Sequence, residues 1–503
     1  MTYSSQQDVD TALARLRKTF QSGKTRDKNW RKQQLKKAWW MLEDHKDEIE
    51  KALFQDLHKH AHESLSSDYA AVQADILHTL AKIDSWTADL RPARSNMLNF
   101  LGGATVRKEP LGVALIVGAW NYPFVLLLQP MIAAIAAGCA ILLKPSDVAV
   151  ASQNLLMRII PKYLDNDAIA CVTAGPQEMG YILSQRFDQI FYTGSTNVAK
   201  IVAAAAAKNL TPVVLELGGQ GPAIVCRSAD IELAAKRIAA TKFMNAGQIC
   251  LNVNHVFVDP AVHDKLISAL RRYFDLYMGN SKGGPSYYTH IVSTRHFDRL
   301  DKVLQGTKGT IVYGGDRDRA SLFFGPTIVD GVSLSDSVLS EELFGPILPI
   351  ITADLDTAIR TTKSFEHPLV LYGFTTDAND KRRILDETTS GGVTFNDCIM
   401  HVGASDAPFG GVGHAGMGYY HGEYGVNAFS YLRTYIELPG FLDRVMGFRY
   451  PPYTARKTKQ MVRSTRAWFD RDGNDRSNIG FTTFVLLGAL AVGIAYWATA
   501  AAS

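Results

Sequence analysis

Between residues 8 and 90, apolar positions recur every three to four residues. Val9, Leu13, Leu16 and Phe20 form one such stripe, and Trp30, Leu35, Trp39 and Leu42 continue a similar one. That period predicts amphipathic helices laid on a core. The basic pairs Arg31-Lys32 and Lys36-Lys37 read as the solvated face of those helices. At Arg91-Pro92 the helical pattern stops, and 97–108 reads as extended chain with a Gly102-Gly103 turn. From Leu111 to Leu143 no residue is charged. Length alone would suit a membrane span, but Gly118, Asn121, Pro123 and Pro130 interrupt it. The pattern predicts a strand over 112–117, a loop, a helix over 130–137 and a strand over 140–143. That is a βαβ unit of a nucleotide-binding domain. An Ala-rich helix is predicted over 198–207. Beyond residue 250, strands at 256–258, 311–313, 347–350 and 370–374 alternate with helices starting at 261 and 355, which predicts a second α/β domain.

The C-terminus breaks this rhythm. Residues 479–502 form a run of 24 without a formal charge, long enough to cross a bilayer at about 20 residues per span. Phe481, Phe484, Tyr496 and Trp497 lie towards its ends, as interfacial aromatics do. Upstream, Arg456, Lys457, Lys459, Arg463, Arg466, Arg471 and Arg476 outnumber Asp470, Asp472 and Asp475. A basic flank on that side keeps the preceding domains cytosolic. The expectation is a single-pass C-terminal anchor in the endoplasmic reticulum or another organelle membrane.

Composition narrows the class. At 503 residues, 47% hydrophobic and 20% charged, the chain is a globular enzyme-sized protein of two or three domains. A net charge of +4 gives no electrostatic footprint for nucleic acid. The five cysteines are scattered, with no C-x-x-C pair, so neither a disulfide framework nor a metal site is expected. The first ten residues are polar and contain no secretory signal.

The chemistry concentrates between residues 213 and 254. Leu215-Glu216-Leu217-Gly218-Gly219 puts a carboxylate where an apolar strand gives way to a loop. Gly247-Gln248-Ile249-Cys250 places a thiol after the small, polar approach Asn245-Ala246. A cysteine nucleophile needs exposure and polar donors, and hydrolysis of its thioester needs a general base. Taken alone, Cys250 would read as a buried thiol and Asn121 as a turn-former. Together, however, these motifs resemble those of the aldehyde dehydrogenase superfamily, and the resemblance runs over residues 10–455. Its closest branch is class 3, with the membrane-anchored fatty-aldehyde dehydrogenases.

The resemblance implies an α/β fold with a Rossmann-like NAD-binding domain over 1–215, including an oligomerisation arm at 91–109. A catalytic domain with the nucleophile follows over 216–412. Residues 413–455 return to the cofactor domain and complete the oligomerisation segment. A basic linker (456–478) and the transmembrane helix (479–502) follow. By the same resemblance Cys250 is the nucleophile and Glu216 the general base. Asn121, in Gly118-Ala119-Trp120-Asn121-Tyr122-Pro123, holds the oxyanion. Lys144 and Asp147 reach the adenosine ribose hydroxyls. Gly194 and Ser195 open a helix whose N–H groups suit a pyrophosphate, although Ala199 replaces a second glycine. In Glu341-Glu342-Leu343-Phe344-Gly345-Pro346, Glu342 grips the nicotinamide ribose and Phe344 lies against the ring. Asp147 stands where the family more often has Glu. A carboxylate there repels a 2′-phosphate, which favours NAD while leaving NADP open. Histidines 414 and 421 read as loop variation and structure. The implied reaction is NAD-dependent oxidation of a lipophilic aldehyde by a membrane-tethered homodimer. Fatty, apocarotenoid and aromatic aldehydes are alternatives, as is an inactive tethered scaffold.

Overall fold

The structure is a computed structural model that describes residues 3–93, 99, 102–279, 284–462, 467 and 469–475. The chain falls into two compact units, one of Met1–Leu90 with Val106–Thr434, the other of Arg91–Thr105 with Tyr435–Ser503. In chain order the strands are β1 (Thr105–Pro110), β2 (Val113–Val117), β3 (Ala140–Lys144), β4 (Ile169–Cys171), β5 (Gln189–Thr193) and β6 (Val213–Glu216). Next come β7 (Pro222–Val225), β8 (His255–Val258), β9 (Thr310–Tyr313), β10 (Arg317–Asp318), β11 (Phe323–Phe324) and β12 (Thr327–Asp330). The last are β13 (Ile347–Thr352), β14 (Val370–Phe374), β15 (Gly392–Phe395), β16 (Gly416–Met417) and β17 (Ser430–Tyr435).

The first sheet runs β16-β6-β5-β2-β3-β4. Five strands are parallel, and β16 returns antiparallel against β6. The chain moves outward from β2 through β3 to β4, then crosses back to β5 and β6. This is the Rossmann-type order, with its reversal between β2 and β5. The loops after β2 and β5 therefore open the crevice in which such sheets bind ligands. Residues of β2 and β3 are buried throughout, which explains the uncharged run: a parallel sheet covered on both faces needs no polar alternation. The second sheet runs β15-β14-β7-β8-β13-β12-β9, parallel except for β9.

The predicted elements hold with shifted bounds. The helix expected from Pro130 begins at Val125 and carries that proline inside it. Asp68 accepts hydrogen bonds from Phe124 N (3.3 Å) and Val125 N (3.5 Å), satisfying N–H groups that an uncapped start would orphan. The helix expected from Val198 begins at Thr196. In the N-terminal layer the helices Gln6–Gln21, Lys28–Asp44, Lys46–Leu57 and Ala70–Trp86 bear out the amphipathic reading. A π-helical turn over Ser64–Tyr69 interrupts them.

One charge was misassigned. Lys36 and Lys37 are exposed, but Arg31 is buried. It donates from Nε to Thr25 O (2.9 Å), from Nη1 to Ala136 O (3.1 Å) and from Nη2 to Arg26 O (3.0 Å). Burial lowers its pKa to about 10. Its guanidinium also packs where a side chain on Gly138, at the end of the helix Val125–Ala137, would collide.

The second unit contains the helices Leu442–Met446 and Ala455–Met461, and Glu437 N donates to Gly102 O (3.1 Å). Among the described residues no helix is long and apolar enough to cross a membrane. The expected anchor over 479–502 lies outside the described residues.

Removing Arg31 strands the buried carbonyls of Thr25 and Ala136. Arg31→Met is expected to lower unfolding stability by about 2–4 kcal/mol, since a buried acceptor left unpaired costs about 1–3 kcal/mol. Urea unfolding of both proteins, with an unchanged slope, checks this.

Candidate active site

Glu216 ends β6, and its backbone is locked between two neighbours. It pairs with Thr193 of β5 and with Gly416 of β16. Its carbonyl accepts from Gly194 N at 3.1 Å. The side chain is 3% exposed, and among the described residues neither carboxyl oxygen has a hydrogen-bond partner. Burial without compensation pushes this carboxyl well above the usual range. Buried polar groups are nearly always satisfied, which sets this carboxyl apart.

Cys250 lies between the helix Ile231–Phe243 and β8, beyond a tight turn over Met244–Gly247. Asn245 (φ 50°), Ala246 (φ 49°) and Gly247 (φ 70°) are all left-handed, a conformation unfavourable for the first two. Glycine is required at 247, because a side chain there would strike the Gly345 carbonyl. Polar side chains hold the turn. Glu63 accepts from Asn245 N (2.9 Å), and Gln248 Nε2 donates to Asn245 O (3.0 Å) and His290 O (3.0 Å). The Cys250 thiol is half-buried and pushed up to about 12, first by burial and then by the nearby Glu342 and Glu216 carboxyls. The main-chain N–H groups of Cys250 and Leu251 oppose that rise.

Asn121 follows β2 and is buried. Its amide donates to Gln248 O at 3.1 Å, two residues before the cysteine. Its own carbonyl accepts from Asn245 Nδ2 (3.1 Å) and from Lys59 Nζ (3.1 Å). Lys59 pairs with Asp68 at 3.0 Å, both side chains fully buried, and its ammonium stands 4.1 Å from the Tyr122 ring centroid.

Glu342 is half-buried, and its carboxylate lies where a side chain on Gly218 would sit. Burial pushes it up to about 7, against the Gly219 N–H, Arg299 and Lys242, which favour its charged form. Phe344 (φ 49°) meets Trp120, the neighbour of Asn121, edge-on at 5.3 Å. The structure thus brings Asn121, Glu216, Cys250, Glu342 and Phe344 together from four loops.

The remaining candidates line the strand ends of the first sheet. Lys144 Nζ bonds Asp147 Oδ1 at 2.8 Å. A side chain on Gly194 would collide with the Tyr192 hydroxyl. Ser195 precedes the helix Thr196–Ala207, and its side chain does not cap the helix's N–H groups. Ala199, in the first turn of that helix, is buried. An anion held by a helix N-terminus at the switch point of the sheet fits these residues. His414 bonds Glu366 at 2.6 Å on the surface, and His421 stacks on Phe409 at 5.1 Å.

Sequence reading did not single out Lys59, Glu63 or Asp68, which hold the two loops. The only sign of them was a cluster of charges in a helical stretch that reads as ordinary surface.

Known proteins with this arrangement can be compared directly. The Aldehyde dehydrogenase family matches residues 1–435. The chain is 40% identical over 486 residues to mouse "Aldehyde dehydrogenase family 3 member A2", covering 96% of this chain and 98% of that protein. It is 40% identical over 489 residues to the "Beta-apo-4'-carotenal oxygenase" of Neurospora crassa, covering 95% of this chain and 91% of that one. A solved structure, "Substrate bound state of Staphylococcus Aureus AldH", superposes with a TM-score of 0.87 at 34% identity, covering 91% of this chain and 99% of that one.

With its thiol near 12, Cys250 is expected to react slowly with iodoacetamide in the cofactor-free protein at pH 7. The rate should still be climbing with pH beyond about 9, past the ordinary thiol value of about 8.5. Mass spectrometry of the Cys250 peptide checks this; a plateau near pH 7 contradicts it.

Proposed function

The chain belongs to the aldehyde dehydrogenase family, and from that premise we propose that it oxidises a lipophilic, long-chain aldehyde to the carboxylic acid with NAD. It is an NAD(P)-dependent oxidoreductase acting on aldehydes. The observation that carries the site assignment is the unpartnered Glu216 carboxyl, buried on a rigid strand end and close enough to raise the Cys250 thiol.

Cys250 Sγ adds to the aldehyde carbon as its thiol proton passes to solvent water. The second N–H of the Asn121 amide and the Cys250 main-chain N–H receive the developing oxyanion. A bound nicotinamide supplies the hydride-accepting ring. Loss of the aldehyde hydrogen as hydride leaves a thioester on Cys250. Glu216 then takes a proton from the water that attacks the thioester, and the acid departs as the thiol re-forms. Burial raises the Glu216 carboxyl, and a more basic carboxylate is a better acceptor for the proton of the attacking water.

For the cofactor, Lys144 and Asp147 suit the adenosine ribose, the N–H groups after Ser195 suit the pyrophosphate, and Glu342 with Phe344 suits the nicotinamide end. The Asp147 carboxylate favours NAD. Lys144, 2.8 Å from it, offers a charge that tolerates NADP. Exposed Tyr431 and Leu432 on β17, which forms a two-stranded sheet with β1, support a homodimer through that ribbon. Residues 479–502 serve as the membrane anchor, placing the site beside lipid, where long apolar aldehydes partition.

A second reading is an apocarotenoid aldehyde, supported by the equal identity to the Neurospora crassa protein. NADH formation by the detergent-solubilised chain with hexadecanal, short aliphatic, aromatic and apocarotenoid aldehydes separates these, with NADP run in parallel. Hexadecanal with NAD is expected to exceed short aldehydes by about ten-fold or more in kcat/KM, since each buried methylene contributes about 0.8 kcal/mol. Preference for the apocarotenal moves the substrate but keeps the chemistry. No turnover by folded, NAD-binding protein would leave only the scaffold.

A further inference from the structure

Tyr372 sits on β14, one strand in from the edge of the second sheet, beside Thr394 of β15 and Ala223 of β7. It is fully buried, yet its hydroxyl reaches two loops. It donates to Leu251 O at 2.6 Å and accepts from Ile399 N at 3.2 Å. A hydroxyl has one proton to give and lone pairs to receive, so both bonds are made at once. Leu251 directly follows the nucleophile. Ile399 belongs to the loop after β15 that carries Met400 and His401, side chains that with Tyr122 are candidates for lining the aldehyde path.

Ile399 itself is strained. Its φ of 66° lies in the left-handed region, where a β-branched residue is an outlier. Such a conformation persists only where surrounding contacts over-determine it. Two hydrogen bonds hold its backbone, the Tyr372 hydroxyl on its N–H and Val402 N donating to its carbonyl at 2.9 Å, while its side chain packs against the core. Further along, His401 Nδ1 bonds Thr394 Oγ1 at 3.0 Å. These bonds fix the path of the loop.

We propose that the Tyr372 hydroxyl is a positioning group for the aldehyde, clamping the substrate-side loop at Ile399 to the nucleophile loop at Leu251. It touches no reacting atom. It sets the distance between the sulfur-bearing turn and the loop that the aldehyde chain passes. The consequence for kinetics rests on the aldehyde oxidation proposed above; the consequence for loop motion does not.

Tyr372→Phe removes the oxygen and keeps the ring that fills the core. The KM for hexadecanal is expected to rise roughly five-fold or more, within the range of one buried hydrogen bond, while kcat and the KM for NAD stay within about two-fold. Glycine adopts a positive φ without strain. In an Ile399→Gly background the same removal is therefore expected to change the aldehyde KM by less than about two-fold, as a double-mutant cycle reads coupling. Amide hydrogen exchange, followed by mass spectrometry on the full chain, is expected to quicken over 396–403 in Tyr372→Phe while β7 and β8 stay protected. An unchanged aldehyde KM, an equal change in both backgrounds, or a matching rise in the NAD KM would overturn the proposal. So would unchanged exchange over 396–403. A wild-type chain silent towards every aldehyde would sink the oxidation reading, and the exchange result would still decide for or against the clamp.

Discussion

A lysine ammonium and an aspartate carboxylate, both shut away from water, hold the site in register. Lys59 and Asp68 meet at 3.0 Å. From that pair one branch runs to the Asn121 carbonyl and the other to the first N–H groups of the helix Val125–Ala137. Breaking a buried pair by removing one partner costs about 3–5 kcal/mol, so this anchor is expensive to disturb. Its position follows from the π-helical turn over Ser64–Tyr69, which re-aims side chains that a regular helix would point elsewhere. Asn121 in turn reaches Gln248, and Asn245 reaches back to Asn121. The Asn121 loop and the Cys250 turn are thus one hydrogen-bonded body, although more than a hundred residues separate them in the sequence.

That rigidity permits the unfavourable features around it. Asn245 and Ala246 sit in left-handed backbone, Glu216 is buried with bare oxygens, and the Cys250 thiol is driven to about 12. None of these would survive in a surface loop free to relax. Burial is the first cause of the rise in both the carboxyl and the thiol, since it penalises their charged forms.

Part of each sheet was legible in the sequence because those strands are short apolar runs, and because β2 and β3 are buried throughout. Cys250, Glu216 and Asn121 were legible as motifs, and the structure brings them together. Arg31 was not, because its burial depends on the end of a helix a hundred residues away, which supplies the Ala136 carbonyl. Lys59 and Asp68 escaped for the same reason: a charge in an amphipathic stretch looks solvated until a distant loop is laid over it. Pro130 suggested a helix start, yet the helix begins at Val125, since Asp68 caps it from another element.

The account turns on Glu216 acting as the base that releases the acid. Glu216→Gln keeps the shape of the side chain and removes the base. Mixing it with aldehyde and NAD should give one rapid turnover of NADH per site, after which the acyl group stays on Cys250. Intact-protein mass spectrometry would then find Cys250 carrying the acyl mass, with steady-state turnover falling by about 10²-fold or more, as loss of a positioned base predicts. Steady turnover near wild type with no acylated cysteine would contradict the assignment and place the hydrolytic base elsewhere.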